Sequence, residues 1–202
     1  TDDGNDGCTP QGTSGDWNTG ANWSTGSVPT AGQNVNISVA GQQTITYSAG
    51  ALGIGALVAD EDFVLSGGGL TLAGTATFTG AFSLTGGTLT ANGATTFTQL
   101  ALTSGTLNGG GNITVGNSFS QGAGILNSTG NLAITQAAGN LTLGAITANA
   151  IAASAQAGAL TVAGNLASSG DIALTARGAA NNLTVSGAIT GTGIAGRSLT
   201  LQ

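Results

Sequence analysis

The chain of 202 residues has no His, no Met and no Lys, a single Cys and two Pro. Without His or Lys there is no ordinary base to activate a Ser or Cys nucleophile, and no imidazole for a zinc site. Arg177 and Arg197 are the only cations. Neutralising several phosphates needs several Lys or Arg, so nucleic acid is excluded as a partner. The longest apolar approach, around Ala148 to Ala163, is broken by Asn149, Ser154 and Gln156, whereas a membrane-spanning helix needs about 18 consecutive apolar residues. An outer-membrane barrel would need aromatic girdles, and Phe 5, Tyr 1 and Trp 2 do not supply them. Collagen is excluded because glycine keeps no three-residue period. Cys8 cannot form an internal disulfide. In its polar surroundings, with no cation to lower its pKa, it reads as an exposed or intermolecular thiol.

What is present is glycine, 37 residues of it, and an apolar fraction of 40% that is mostly aliphatic or small. Charged residues make up 5% and the net charge is −6, a combination unlike that of disordered chains. Residues 1 to 16 hold Asp2, Asp3, Asp6 and Asp16 among Gly, Asn and Ser and read as a solvated leader. The run from Asp2 to Gly7 lacks the spacing and distant Glu of a calcium loop. No signal peptide stands at Thr1, and Leu199 to Gln202 stops inside a pattern, so the chain reads as a piece of something longer.

That pattern is an internal repeat. Apolar-x-apolar triplets or their leading Leu recur at Val35, Leu52, Leu70, Leu89, Leu107, Leu126, Leu141, Leu160, Leu183 and Leu199, in steps of 17, 18, 19, 18, 19, 15, 19, 23 and 16. A second column runs through Ile45, Phe63, Phe82, Leu100, Phe119, Leu132, Ile151 and Ile172, in steps of 18, 19, 18, 19, 13, 19 and 21. Both columns slip between residues 119 and 141. Within each triplet apolar and polar residues alternate, the period of a strand, and Gly, Asn or Ser follow as turn residues. Interior glycines argue against helices.

Strands this short pair with their counterparts one repeat away. The expected fold is therefore an all-β, right-handed parallel β-helix, or β-solenoid, with about 19 residues per turn. About nine turns give a rod of order 40 Å. Residues 1–32 form an acidic Gly/Asn-rich leader and a Trp-containing N-terminal cap, and residues 33–202 form the repeats. Low charge fits this stack, because like charges one turn apart would lie about 4.8 Å from each other.

Candidate functional residues are few. Trp17 and Trp23, before the turn signal at Pro29, serve either as a plug over the first turn or as a sugar-stacking platform; the open end of a solenoid favours the plug. An outward column of Asn36, Thr71, Thr90, Asn108, Asn127, Thr142, Thr161, Thr184 and Thr200 reads as cross-strand pairs. An ice-binding face would need a second Thr column, which the flanking residues do not provide. Asp60 and Asp62, two apart on a strand, would face the same way about 7 Å apart, the separation of an inverting glycosidase, but no cation stands near them. Asp171 lies about six turns away. The triplet Asp60-Glu61-Asp62 reads as a solvated loop, with calcium a lesser reading. The Asn-x-Ser/Thr sites at Asn22, Asn36, Asn112, Asn127, Asn140 and Asn182 follow from composition. No catalytic, cofactor or metal residue is assigned.

The W-x5-W-x5-P opening ahead of an apolar strand, with tracts such as Gly139-Asn140-Leu141-Thr142-Leu143-Gly144 and Gly158 to Leu166, resembles the passenger regions of bacterial autotransporter and filamentous-haemagglutinin-type surface adhesins. The resemblance covers roughly residues 16 to 202. It implies a right-handed β-helix exported through an outer-membrane pore and displayed at or shed from the bacterial surface, and a chain without internal disulfides suits such export. The expected function is a secreted, non-enzymatic stalk of a surface adhesin or extracellular fibre, with a host or surface glycan or protein as receptor. The alternatives are a subunit that self-associates head to tail into filaments and, less favoured, a glycan-active or ice-binding β-helix.

Overall fold

The computed structural model describes residues 6–7, 15–177, 182–191 and 199–201, the side chains of 6–7 and 199–201 excepted. Its strands pair in parallel from coil to coil as a β-solenoid of about eight turns, one fewer than the triplet count suggests, with a repeat of about 19 residues.

Each coil has three faces. The first runs through Val35–Ile37, Leu57–Ala59, the leading halves of Ala76–Leu84, Thr95–Leu102 and Ile113–Gln121, then Leu132–Gln136, Ile151–Ala155, Ile172–Ala176 and Leu199–Leu201. The second runs through Thr44–Tyr47, Asp62–Leu65 and the trailing halves of those three long strands. It continues above them as Leu141–Leu143, Leu160–Val162 and Leu183–Val185. The third is an eight-stranded sheet from Ala51–Ile54 to Ile189–Gly191.

The two columns read from the sequence are therefore segments of three. Leu52, Leu70, Leu89, Leu107 and Leu126 belong to the third face, whereas Leu141, Leu160 and Leu183 belong to the second and Val35 and Leu199 to the first. In the other column, Ile45 to Phe119 lie on the second face, and Leu132, Ile151 and Ile172 on the first. No coil is short at residues 119 to 141; the sequence columns change face there. Strands are also longer than triplets. Ala76–Leu84, Thr95–Leu102 and Ile113–Gln121 each turn the first corner without breaking, through a bulge at Phe97/Gln99 and its counterparts.

The solvated-leader expectation is corrected at two places: Asp6–Gly7 pairs with Val35 and Asn36, and Gly15–Asp16 with Ile45 and Thr46. Cys8, Asp2, Asp3 and Arg197 lie outside the described residues.

Inward positions carry the core. Leu70, Leu72, Leu84, Leu89, Leu102, Leu107, Leu126, Leu143 and Leu166 are fully buried, each side chain contributing about 1.5–3 kcal/mol. The corners close by backbone alone. Between the second and third faces Gly50, Gly68, Gly87 and Gly105 stack with φ of 95°, 72°, 71° and 78°, a left-handed conformation that only glycine adopts without strain. The carbonyls of these four accept from Gly69, Thr88, Thr106 and Ile125 at 2.8–3.0 Å. Between the third and first faces Gly74, Gly93, Gly111 and Gly130 stack so closely that a Cβ on any of the last three would strike the backbone of the glycine below it. Asn side chains clamp further corners: the Oδ1 atoms of Asn34, Asn112, Asn140 and Asn165 accept from the amides of Ala56, Asn131, Ala159 and Ala188, one coil on.

This packing predicts a contrast between two Gly→Ala changes. Gly130→Ala drives a methyl into the Gly111 carbonyl and should cost about 1–3 kcal/mol of unfolding free energy. Gly69→Ala meets open space and should lie within about 0.5 kcal/mol of the parent, both read from urea denaturation.

Candidate functional site

The acidic triplet is the one concentration of carboxylates among the described residues, and it sits at the corner between Leu57–Ala59 and Asp62–Leu65. The structure turns its members to different coils. Glu61 is 5% exposed, and its two oxygens accept from the Val39 amide at 3.3 Å and the Gln43 amide at 2.6 Å, both in the coil below. Asp60 Oδ1 accepts from Thr79 Oγ1 at 2.9 Å, and Asp62 Oδ1 from the Ala81 amide at 2.8 Å, both in the coil above. The solvated-loop expectation is corrected for Glu61: the loop of residues 38–43 departs from the sheet, and the carboxylate supplies the acceptors its amides would otherwise lack. Gly80 lies directly over the Glu61 carbonyl, where any Cβ would collide.

As an inverting pair Asp60 and Asp62 have the wrong surroundings. Each is hydrogen-bonded to the neighbouring coil, and no cation faces them among the described residues; Arg177 is exposed far up the rod. Asp171, also exposed, is separated from them by the strands from Ala76–Leu84 to Ile151–Ala155. Among the described residues no group of three or more His, Cys, Asp or Glu is placed to hold a metal ion.

The tryptophans are buried, Trp17 at 1% and Trp23 at 2% exposure, so neither offers a ring face for sugar stacking. Trp17 follows the Gly15–Asp16 strand and its amide donates to the Thr46 carbonyl at 2.9 Å. A 3₁₀ turn at Gly20–Asn22 then brings Trp23 against it, ring centroids 4.7 Å apart, with Trp23 Nε1 donating to the Trp17 carbonyl at 2.8 Å. From there an aromatic column climbs the interior. Trp17 meets Tyr47 and Phe63 edge-on at 5.7 and 5.9 Å. Phe63 stacks under Phe82, and Phe78 under Phe97, with rings 6° from parallel. Such contacts add about 0.5–1.5 kcal/mol each beyond burial.

The Thr/Asn column also divides. Thr71, Thr90, Asn108, Asn127 and Thr147 form a ladder on the third face, Thr142, Thr161 and Thr184 one on the second, and Asn36 and Thr200 belong to the first. Beside the third-face ladder stand Ala51, Gly69, Thr88, Thr106 and Ile125. On this face paired threonines are thus confined to Thr88 with Thr90, and on the first face to Thr77 with Thr79 and Thr96 with Thr98, short of the regular double array an ice-binding face needs. Open grooves among the described residues include one along Ala133, Ala152 and Ala173 beside Thr135, Ser154 and Thr175, and another along Asn108, Asn127 and Thr147. Neither has a charged or aromatic lining. Of the glycosylation-type sites, Asn22 is buried with its Nδ2 donating to the Asp16 carbonyl at 2.9 Å, and Asn112 and Asn140 hold cross-coil amides.

The fold defines the class: a parallel β-solenoid repeat protein. No protein-family model, no curated protein and no solved structure matches the chain.

The acceptor role of Glu61 predicts that Glu61→Ala lowers unfolding free energy by about 1.5–3 kcal/mol, since two part-buried amides lose a charged acceptor. Asp60→Ala, at an exposed carboxylate, should cost about 1 kcal/mol or less; equal losses in chemical denaturation would overturn the assignment. Tyr47, the only tyrosine, is buried and its hydroxyl donates to the Gly69 carbonyl at 3.3 Å. Burial raises its pKa above the ordinary 10.0. The neutral phenol therefore contributes stability that is fully present below pH 10 and is lost as pH rises through the folded pKa. The midpoint of the phenolate absorbance change should lie above pH 10, and a titration centred at the ordinary value would show the ring to be solvated.

Proposed function

We propose that this chain is the secreted, non-enzymatic shaft of a bacterial surface adhesin or extracellular fibre, a rod that holds a binding region away from the surface. The observation that supports this most is the use made of the acidic triplet, the tryptophans and the corner asparagines. Glu61, Asp60 and Asp62 join coils, Trp17 and Trp23 cover the first coil, and exposed Asn side chains clamp corners. Side chains recruited in this way serve stiffness and, among the described residues, leave no assembled nucleophile, base or cation.

A load-bearing role also fits the bonding geometry. In a parallel stack the main-chain bonds run along the rod, so extension of the axis has to break a whole coil's set together. The same ladder hides backbone from proteases, because local opening must expose several bonded strands at once. The extracellular location and the receptor, a host or surface glycan or protein, are carried from the adhesin resemblance of the repeat tracts.

Small-angle scattering with light scattering across a concentration series tests the reading. A shaft should remain a monomeric rod, its length about 40 Å for coils stacked at about 4.8 Å, and should show no saturable binding to immobilised glycans or matrix proteins. Length that grows with concentration would favour the head-to-tail filament instead. Saturable binding, removed by substitution of surface residues, would overturn a purely structural role.

A further inference from the structure

One interior step in the stack differs from the other interior steps. Between the coil of residues 113–128 and the coil of 132–148 the second face has no backbone ladder: Leu141–Leu143 lies against Ile113–Gln121 but begins a separate sheet, and the corner keeps one backbone bond, from the Ala137 amide to the Asn117 carbonyl at 2.8 Å. The first face keeps only Ile113–Leu132, Thr114–Ala133 and Val115–Ile134, and the third only Leu126–Ile146 and Asn127–Thr147. The step below pairs seven positions from Thr95–Ile113 to Leu102–Gln121 on its long strand, and four on its third face. The corner itself changes here. In the three coils directly below it, the first and second faces share one bulged strand; above it, residues 137–140 form a loop between them.

Two glutamines occupy this step, each in a column that is apolar in neighbouring coils. Gln121 sits over Leu84 and Leu102, and Gln136 beneath Ala155 and Ala176. They reach across in opposite directions. Gln121 Oε1 accepts from the Gly144 amide at 3.0 Å and its Nε2 donates to the Gly124 and Ala145 carbonyls, both at 3.0 Å. Gln136 Oε1 accepts from the Phe119 amide at 2.8 Å while its Nε2 donates to the Ala138 carbonyl at 2.8 Å. Gly144 has no room for a Cβ, which would meet the Gln121 amide carbon at 2.8 Å.

We infer that this step is a latched seam, the place where the interior of the rod, inward of its terminal coils, opens first, dividing it into an N-terminal block of residues 33–128 and a C-terminal block of 132–191, with the Gln121 and Gln136 amides as the latch. In a solenoid each coil contacts only its neighbours, so stability is a sum of coil and interface terms and the weakest interface sets where opening begins. Here the interface has fewer than half the paired residues of the step below it. The side-chain amides replace ladder bonds that the change of corner has removed, and as polar groups in apolar columns they hold the two coils in one register.

Native-state hydrogen exchange on the full chain tests this. In the parent protein, amides bonded across the seam, including Phe119 and Gly144, should exchange through an opening of lower free energy than amides of the Leu100–Leu102 rungs. In Gln121→Ala/Gln136→Ala the Phe119 and Gly144 amides should exchange roughly three- to tenfold faster each, the factor for one net hydrogen bond, with the Leu100–Leu102 rungs unchanged. Should that variant fail to fold, Gly144→Ala displaces only the Gln121 amide and should speed Gly144 more than Phe119. One shared opening for all core amides in the parent, or a uniform acceleration along the rod in either variant, would overturn the seam.

Discussion

Parallel stacking sets each residue about 4.8 Å from its counterpart in the next coil, so every column must tolerate itself. That constraint selects the composition. Like charges cannot be repeated at that spacing, which is why a chain of 202 residues has only ten charged side chains, two basic and eight acidic. Aliphatic side chains repeat without penalty, and aromatic rings do so when parallel, as Phe63 under Phe82 and Phe78 under Phe97 show. Glycines repeat at corners because the backbone of one coil lies where the next coil's Cβ would be. Asparagines repeat because an amide can take a hydrogen bond from the coil above, as Asn112 does from Asn131.

The same constraint explains where the rare acids went. Glu61, Asp60 and Asp62 are consecutive, yet in a coil the chain passes a given corner only once, and each carboxylate finds its donors in another coil. A buried Glu is tolerated because two backbone amides meet it. Nothing in the triplet's spacing distinguishes this from a solvated loop, since the donors at Val39 and Gln43 are about one repeat away and belong to a departure from the regular strand pattern.

The period and the alternation within each strand were legible because they are local: Leu70-Thr71-Leu72 or Leu160-Thr161-Val162 states its own inward and outward sides. Which face a triplet belongs to was not. Three faces share one repeat of about 19 residues, and when the corner after Gln136 lengthens, Leu141 arrives about where a third-face residue would be expected, so a column drawn by spacing passes from one face to another. Gln121 and Gln136 were the available signal, glutamines at positions held by Leu and Ala in adjacent coils, but they show as exceptions only once the columns are correctly drawn. That the N-terminal tryptophans are buried rather than presented to a ligand was legible, because a stack needs its end covered.

The sequence alone determined that this protein is a stack of short parallel strands with an aliphatic interior, glycine-rich corners and almost no charge, because repetition at a fixed interval is a property of the chain itself. The tertiary structure decided which strands lie over which, how the acids are partnered, and where the ladder thins between residues 121 and 141. Those depend on corner geometry and on donors a full coil away, and distance along the chain does not report height along the rod.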